Sequence, residues 1–319
     1  MANIIEFLRQ KSIEKLFNMN SFQTNWENIW QASISEQLGT TPTPRNILNL
    51  GDHLGDIFRT TGREGRGQDE VSAAGATWEA LVCWYLNLCL AGSRVVVFKQ
   101  SKDMIPEPIR DSLTVLYGNF PSNTEADLIA ITFPNHADYT NPIENLLTNA
   151  DLDAEGIQAF TNRGRFKFKE VLNVLSDRDF DNFEINVIQC KTNWNDNAQI
   201  PMLWDMIYRA EGFAEQITVG RNGYNINRLN RFSYSFVTVP TVRRDRITEN
   251  STQVKRVINL SGGNFWGYPT LNNVAQSIKE IINRNYGNGT NYNVLTSTLP
   301  QLITGLNSEY SYFNINEAN

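Results

Sequence analysis

A chain of 319 residues with 41% apolar side chains can bury one large core or two small ones, and no stretch is long and apolar enough for a membrane span. Its three cysteines, Cys83, Cys89 and Cys190, lie in apolar stretches and read as reduced core thiols. Two histidines, His53 and His136, exclude His-based zinc chemistry, and the net charge of −6 argues against bulk attraction to nucleic acid without excluding a local basic surface.

The chain opens on MANIIEFLRQKSIEKLF, where charges are mixed among the apolar residues. That pattern predicts an amphipathic helix over 3–18 and no secretory signal, so the protein is expected in the cytoplasm. A second helix is expected around 24–38, before Pro42 and Pro44 break the chain. Residues 62–68 (GREGRGQ) read as a loop, and 69–90 as a strongly helical stretch. Arg94 to Phe98 reads as a short buried strand, followed by a helix near 106–117. ADLIAITF (126–133) and FEINVIQCK (183–191) are short, rich in branched apolar residues and bounded by turn formers, the pattern of central strands. A helix at 200–215, strands at 217–220 and 231–239, a helix near 271–284 and an Asn-rich end complete the chain.

Without internal repeat or convincing linker, the expected architecture is one α/β domain, a mixed central sheet flanked by helices. A helical part (1–68) precedes a core (69–215) and a region of C-terminal strands and helix (216–319).

Side chains alternate along a strand, so Ile185, Val187, Gln189 and Lys191 share one face. The strand is apolar until its last turn and then presents an amide and a lysine, before the polar loop TNWNDN. On the other strand Asp127 is the polar entry to a buried run. Were the two strands neighbours, about 4.8 Å apart, Asp127 would reach the groups at 189 and 191. A carboxylate, an amide oxygen and waters suit a hard cation such as Mg²⁺, and a lysine beside it suits the charge that develops on a phosphate.

An Asp on one strand and [DEQ]-x-K at the end of the next resembles the PD-(D/E)xK nucleases, here as EAD (125–127) and VIQCKTNWNDN (187–197). Three departures stand out: Ala126 replaces the Pro, Gln189 replaces the acidic ligand, and sixty-two positions separate Asp127 from Gln189. The resemblance implies a restriction-endonuclease-like core and a Mg²⁺ site made by Asp127, the Gln189 oxygen and the backbone carbonyl of Cys190, with Lys191 as the charge-stabilising group. It also implies a Glu on the preceding helix. Glu79 fits, on a stripe with Gly75, Val82, Cys83 and Leu86, with Glu70 and Glu125 as competitors and a salt bridge to an arginine as the structural alternative.

With no phosphate-binding loop and no methyltransferase motif, the expectation is a type II restriction endonuclease. It would cut double-stranded DNA at a short specific sequence, need no nucleotide cofactor and act as a homodimer. The alternatives are a repair or structure-specific nuclease and a non-catalytic DNA-binding protein. Expected DNA contacts are Asn193, Asn195 and Asn197, just beyond Lys191, and Arg221, Arg228, Arg231, Arg243 and Arg244, in a segment with six arginines and one acid between 221 and 246. A second basic cluster is Arg163, Arg165, Lys167 and Lys169.

Overall fold

A computed structural model describes residues 2–59, 68–99, 103–122, 126–192, 203–204, 206–208, 216–239, 244–252, 254–255, 264–265 and 277–315, with backbone alone at 68–74 and a few other positions. The fold is α/β: a mixed sheet packed against helices, with a helical N-terminal region. Eight strands are present among these residues: β1 (Val95–Lys99), β2 (Val115–Tyr117), β3 (Phe120–Ser122), β4 (Leu128–Thr132), β5 (Glu184–Lys191), β6 (Ile217–Val219), β7 (Arg231–Thr238) and β8 (Asn264–Phe265). The main sheet runs β1-β4-β5-β7-β8, and β3-β2-β6 form a small second sheet. β1, β4 and β5 are an antiparallel meander, whereas β7 runs parallel to β5. Helical residues 203–204 and 206–208 lie in the connection between β5 and β7.

β5 is central, with neighbours on both edges, and seven of its eight residues are buried. Burial on both faces explains why it reads as a nearly continuous apolar run. Its two faces feed two cores. Ile188 and Cys190 join Val95, Val97, Leu128 and Ala130 in one. Ile185 and Val187 join Val96, Phe98, Ile129 and Ile131 in the other.

Helix α1 (Ile4–Phe17) straddles the outer edge of β1, with Ile4, Ile5 and Leu8 in one core and Ile13 and Leu16 in the other. An edge strand exposes unpaired backbone groups, and here polar side chains satisfy them. Arg9 donates to the Val95 carbonyl at 2.7 Å and Ser12 to the Val97 carbonyl at 2.8 Å. On the long helix Gln68–Cys89, Asn87 accepts from the Val97 N–H at 3.0 Å and donates to the Val97 carbonyl at 2.7 Å. Asn87 is fully buried, so Asn87→Leu strands a buried N–H and should cost about 2–3 kcal/mol. Urea unfolding checks this; a variant as stable as the parent would show that the edge is closed by other means.

The expected helix over 24–38 is broken into Asn20–Asn25, a π-turn at Trp26–Trp30 and Gln31–Leu38. The expected helix near 106–117 stops at Ser112, and Val115 to Tyr117 pair as β2 instead. The helix expected at 271–284 is seen as Glu280–Asn285, residues 271–276 lying outside the described set. Among the helices that escaped the sequence reading, the two longest are Pro44–Arg59 and Phe168–Arg178. The first carries Gly51, where any Cβ would meet the Tyr85 hydroxyl at 2.4 Å and the Lys279 backbone at 2.8 Å. That glycine is there for close packing, although it lowers helix propensity.

Candidate active site at the mouth of the main sheet

The register Leu128↔Ile188 places Asp127 opposite Gln189, one residue before β4 begins. The contact expected from strand adjacency is present. Asp127 Oδ2 accepts from Gln189 Nε2 at 2.7 Å and from the Cys190 backbone N–H at 2.6 Å. Lys191 follows as the last, partly exposed residue of β5.

The amide of Gln189 differs from expectation. It is almost wholly buried and offers its N–H to Asp127, while its oxygen accepts from the Tyr234 hydroxyl on β7 at 3.3 Å. To lend that oxygen to an ion beside Asp127, the amide must turn over and exchange both partners.

The Lys191 carbonyl accepts from Val239 N–H, on the β7 side. Backbone groups alternate between the two edges of a strand, so the Cys190 carbonyl faces the Asp127 side with its own N–H. Burial pushes the Cys190 thiol well above its ordinary pKa, and the nearby charges of Asp127 and Glu79 add to the shift. The side chain is therefore an inert core thiol, and only the backbone of Cys190 faces the site.

Glu79 projects from the long helix toward the same mouth. It is ion-paired with Lys99, the last residue of β1, and Lys99 also donates to the Ala76 carbonyl at 3.1 Å. Both side chains are about one-fifth exposed, at 18% for Lys99 and 20% for Glu79. A salt bridge of Glu79 is thus present, but with a lysine that sequence reasoning missed and not with the expected arginine. Tyr234 was missed too. A strand-end lysine after four apolar residues, RVVVFK, was the only signal for Lys99.

These groups feel one another. The Asp127 carboxyl is pushed up to about 7, first by burial and then by the negative charge of Glu79. Lys191, the Cys190 N–H and Lys99 pull the other way without cancelling the rise. A carboxylate poised near neutrality in a partly open mouth is the kind of group found where chemistry is done.

Among the described residues no group of three or more His, Cys, Asp or Glu is arranged to hold a metal ion. The oxygen donors at the mouth are two carboxylates, one amide and one main-chain carbonyl. That set suits a hard cation that keeps several waters, and Mg²⁺ is such a cation.

The expected DNA-contacting residues fall elsewhere or outside the described set. Asn193, Asn195, Asn197 and Arg243 are not among the described residues, nor are Glu125 and the side chains of Glu70 and Arg244. Arg231 pairs in register with Glu184, at the opposite end of β5 from Lys191, and donates to the carbonyls of Arg284 and Asn285. Arg221 is ion-paired with Asp111, and Arg228 with Asp181 while lying over the Phe180 ring. These three arginines support the far end of the fold and do not share the mouth with Asp127. Two other basic groups are exposed: Arg246, in the segment that follows β7 in the chain, and Lys169, which is paired with Asp103, four residues past Lys99.

No helix among the described residues is long and apolar enough to cross a membrane. No protein-family model matches the chain, and no curated protein is similar to it in sequence.

Proposed function

We propose that this protein is a Mg²⁺-dependent endonuclease of the PD-(D/E)xK group, cutting duplex DNA at a short specific sequence as a type II restriction endonuclease does. The observation that carries the reading is Asp127 held against Gln189 and the Cys190 backbone, with Lys191 beside them. The element order supports it: a helix carrying Glu79, an antiparallel meander of three strands, a helical connection and a strand parallel to the third. Asp127 and the Cys190 carbonyl would hold the ion, with Gln189 joining after its amide turns and Glu79 after it leaves Lys99.

When bound, Mg²⁺ supplies Lewis-acid polarisation of the phosphate and a more acidic water. The chain's own residues do the rest. Lys191, at the strand end, places an ammonium where charge develops on the scissile phosphate and orients the attacking water. Burial around Asp127 and Gln189 lowers the local dielectric and strengthens each interaction with the phosphate. Exposed basic groups, Arg246 and Lys169 among them, would neutralise phosphates of the duplex despite the acidic chain. A homodimer would match a palindromic site, and cytoplasmic location would expose the enzyme to incoming unmodified DNA.

The test is incubation of unmodified plasmid with Mg²⁺ or with EDTA. Discrete fragments with Mg²⁺, and none with EDTA, are expected. Cutting confined to junctions or ends would replace the restriction reading by a repair nuclease. Full activity in EDTA would remove the metal mechanism, and binding without cleavage would leave a DNA-binding protein.

A further inference from the structure

The mouth of the sheet carries two carboxylates, Asp127 and Glu79, and two ammonium groups, Lys191 and Lys99. Asp127 is held by N–H donors of β5, whereas Glu79 is held by a full positive charge. A carboxylate in direct contact with an ammonium is a poor ligand until that contact is released. The contact is nevertheless releasable. Both partners are partly exposed, so neither is stranded dry when they separate. Lys99 also keeps a second acceptor, the Ala76 carbonyl, after Glu79 has gone.

We propose that Lys99 is a positioning residue of the centre and that Lys99 and a divalent cation compete for Glu79. Without a bound ion the Lys99 ammonium takes the cation's place beside Glu79 and offsets part of the repulsion between Glu79 and Asp127. On metal binding Glu79 transfers to the ion or its water shell, and Lys99 falls back on the helix carbonyl. The proposal rests on the metal-dependent reading of the same mouth and adds to it a built-in competitor that sets the ion affinity.

The competition predicts that removing Lys99 tightens ion binding, the opposite of what loss of a supporting residue does. The experiment is a Mn²⁺ titration of the full chain, following free ion by electron paramagnetic resonance, with melting curves in EDTA and in Mn²⁺. Lys99→Met, which keeps the apolar stem, should bind Mn²⁺ about two- to fivefold tighter than the parent, the size of one partly exposed ion pair. Lys99→Arg should bind as the parent does. The gain should vanish when Glu79→Gln is added to Lys99→Met, since the two changes act on one contact. In EDTA, Lys99→Met should melt lower than the parent, and Mn²⁺ should raise its melting temperature by more.

Equal or weaker Mn²⁺ binding by folded Lys99→Met, with parental binding that is lost in Asp127→Ala, would overturn the competition and leave the metal reading standing. Should Lys99→Met not fold, Lys99→Gln takes its place under the same criteria. A parent that binds no Mn²⁺ would overturn the metal reading and this proposal together.

Discussion

Asp127→Asn should lower the cleavage rate by more than about a thousandfold, because it removes the one acid that sits directly against the [DEQ]-x-K strand. The asparagine oxygen still accepts from Gln189 and Cys190, so the loss would be one of charge and not of architecture. The same variant should be more stable than the parent at pH 8 in EDTA. The physical reason is the carboxyl's rise to about 7, caused first by burial and second by Glu79. A carboxyl whose folded-state value lies above its ordinary one favours folding while protonated. That contribution is complete below the ordinary carboxylate range and is lost as the pH climbs toward 7. The parent therefore folds against an unfavourable buried charge at pH 8, and the isosteric amide does not. The melting difference should be near zero at pH 4 and grow to a few degrees above pH 7. Near-normal cutting would remove Asp127 from the site. A variant that melts lower than the parent at pH 8 would make the carboxylate structural.

Lys191→Ala belongs to the same experiment as a contrast. It removes an ammonium from the strand end without touching the Asp127 hydrogen bonds. Cleavage should fall about a hundredfold or more while Mn²⁺ binding persists. Loss of ion binding in Lys191→Ala would mean that the lysine supports the site and does not act on the phosphate.

What could be read in advance follows the range of the interactions. β5 announces itself because its burial on both faces needs a run of branched apolar residues, and the two-residue period then places Gln189 and Lys191 together. The meeting of Asp127 with Gln189 needed one assumption, that the two strands are neighbours, and the antiparallel register of β4 and β5 supplies it. Lys99 was hidden because its partner lies twenty residues away on a helix, and a helix–strand contact leaves no periodic trace. The orientation of the Gln189 amide was hidden for a similar reason, since it depends on Tyr234 on the third neighbouring strand. Charge density could not place the arginines: local charge does not say which end of a sheet it occupies, and the parallel pairing of β5 with β7 carries Arg231 to the end opposite Lys191. Helix Pro44–Arg59 was obscured by Gly51, a residue that serves packing against Tyr85 at the expense of propensity.

Divalent-ion affinity should rise about a hundredfold between pH 5 and pH 8 if Asp127 is a ligand. The carboxyl's value of about 7 in the metal-free protein means that most molecules carry a proton there at pH 5. An ion that uses this carboxylate must displace that proton, so one proton is released per ion bound. The apparent affinity then climbs about tenfold per pH unit up to about pH 7 and levels off beyond it. Ordinary carboxylate ligands, ionised throughout this range, would give an almost flat profile from pH 5 upward. The measurement is a series of Mn²⁺ titrations at constant ionic strength, with proton release followed in weakly buffered solution. Lys191→Ala should move the break upward, because Lys191 opposes the rise of the Asp127 carboxyl. Glu79→Gln should move it downward, because the Glu79 charge contributes to the rise. A flat profile, or a break that ignores both substitutions, would show that the ion does not meet Asp127 and would send the search for its ligands elsewhere in the chain.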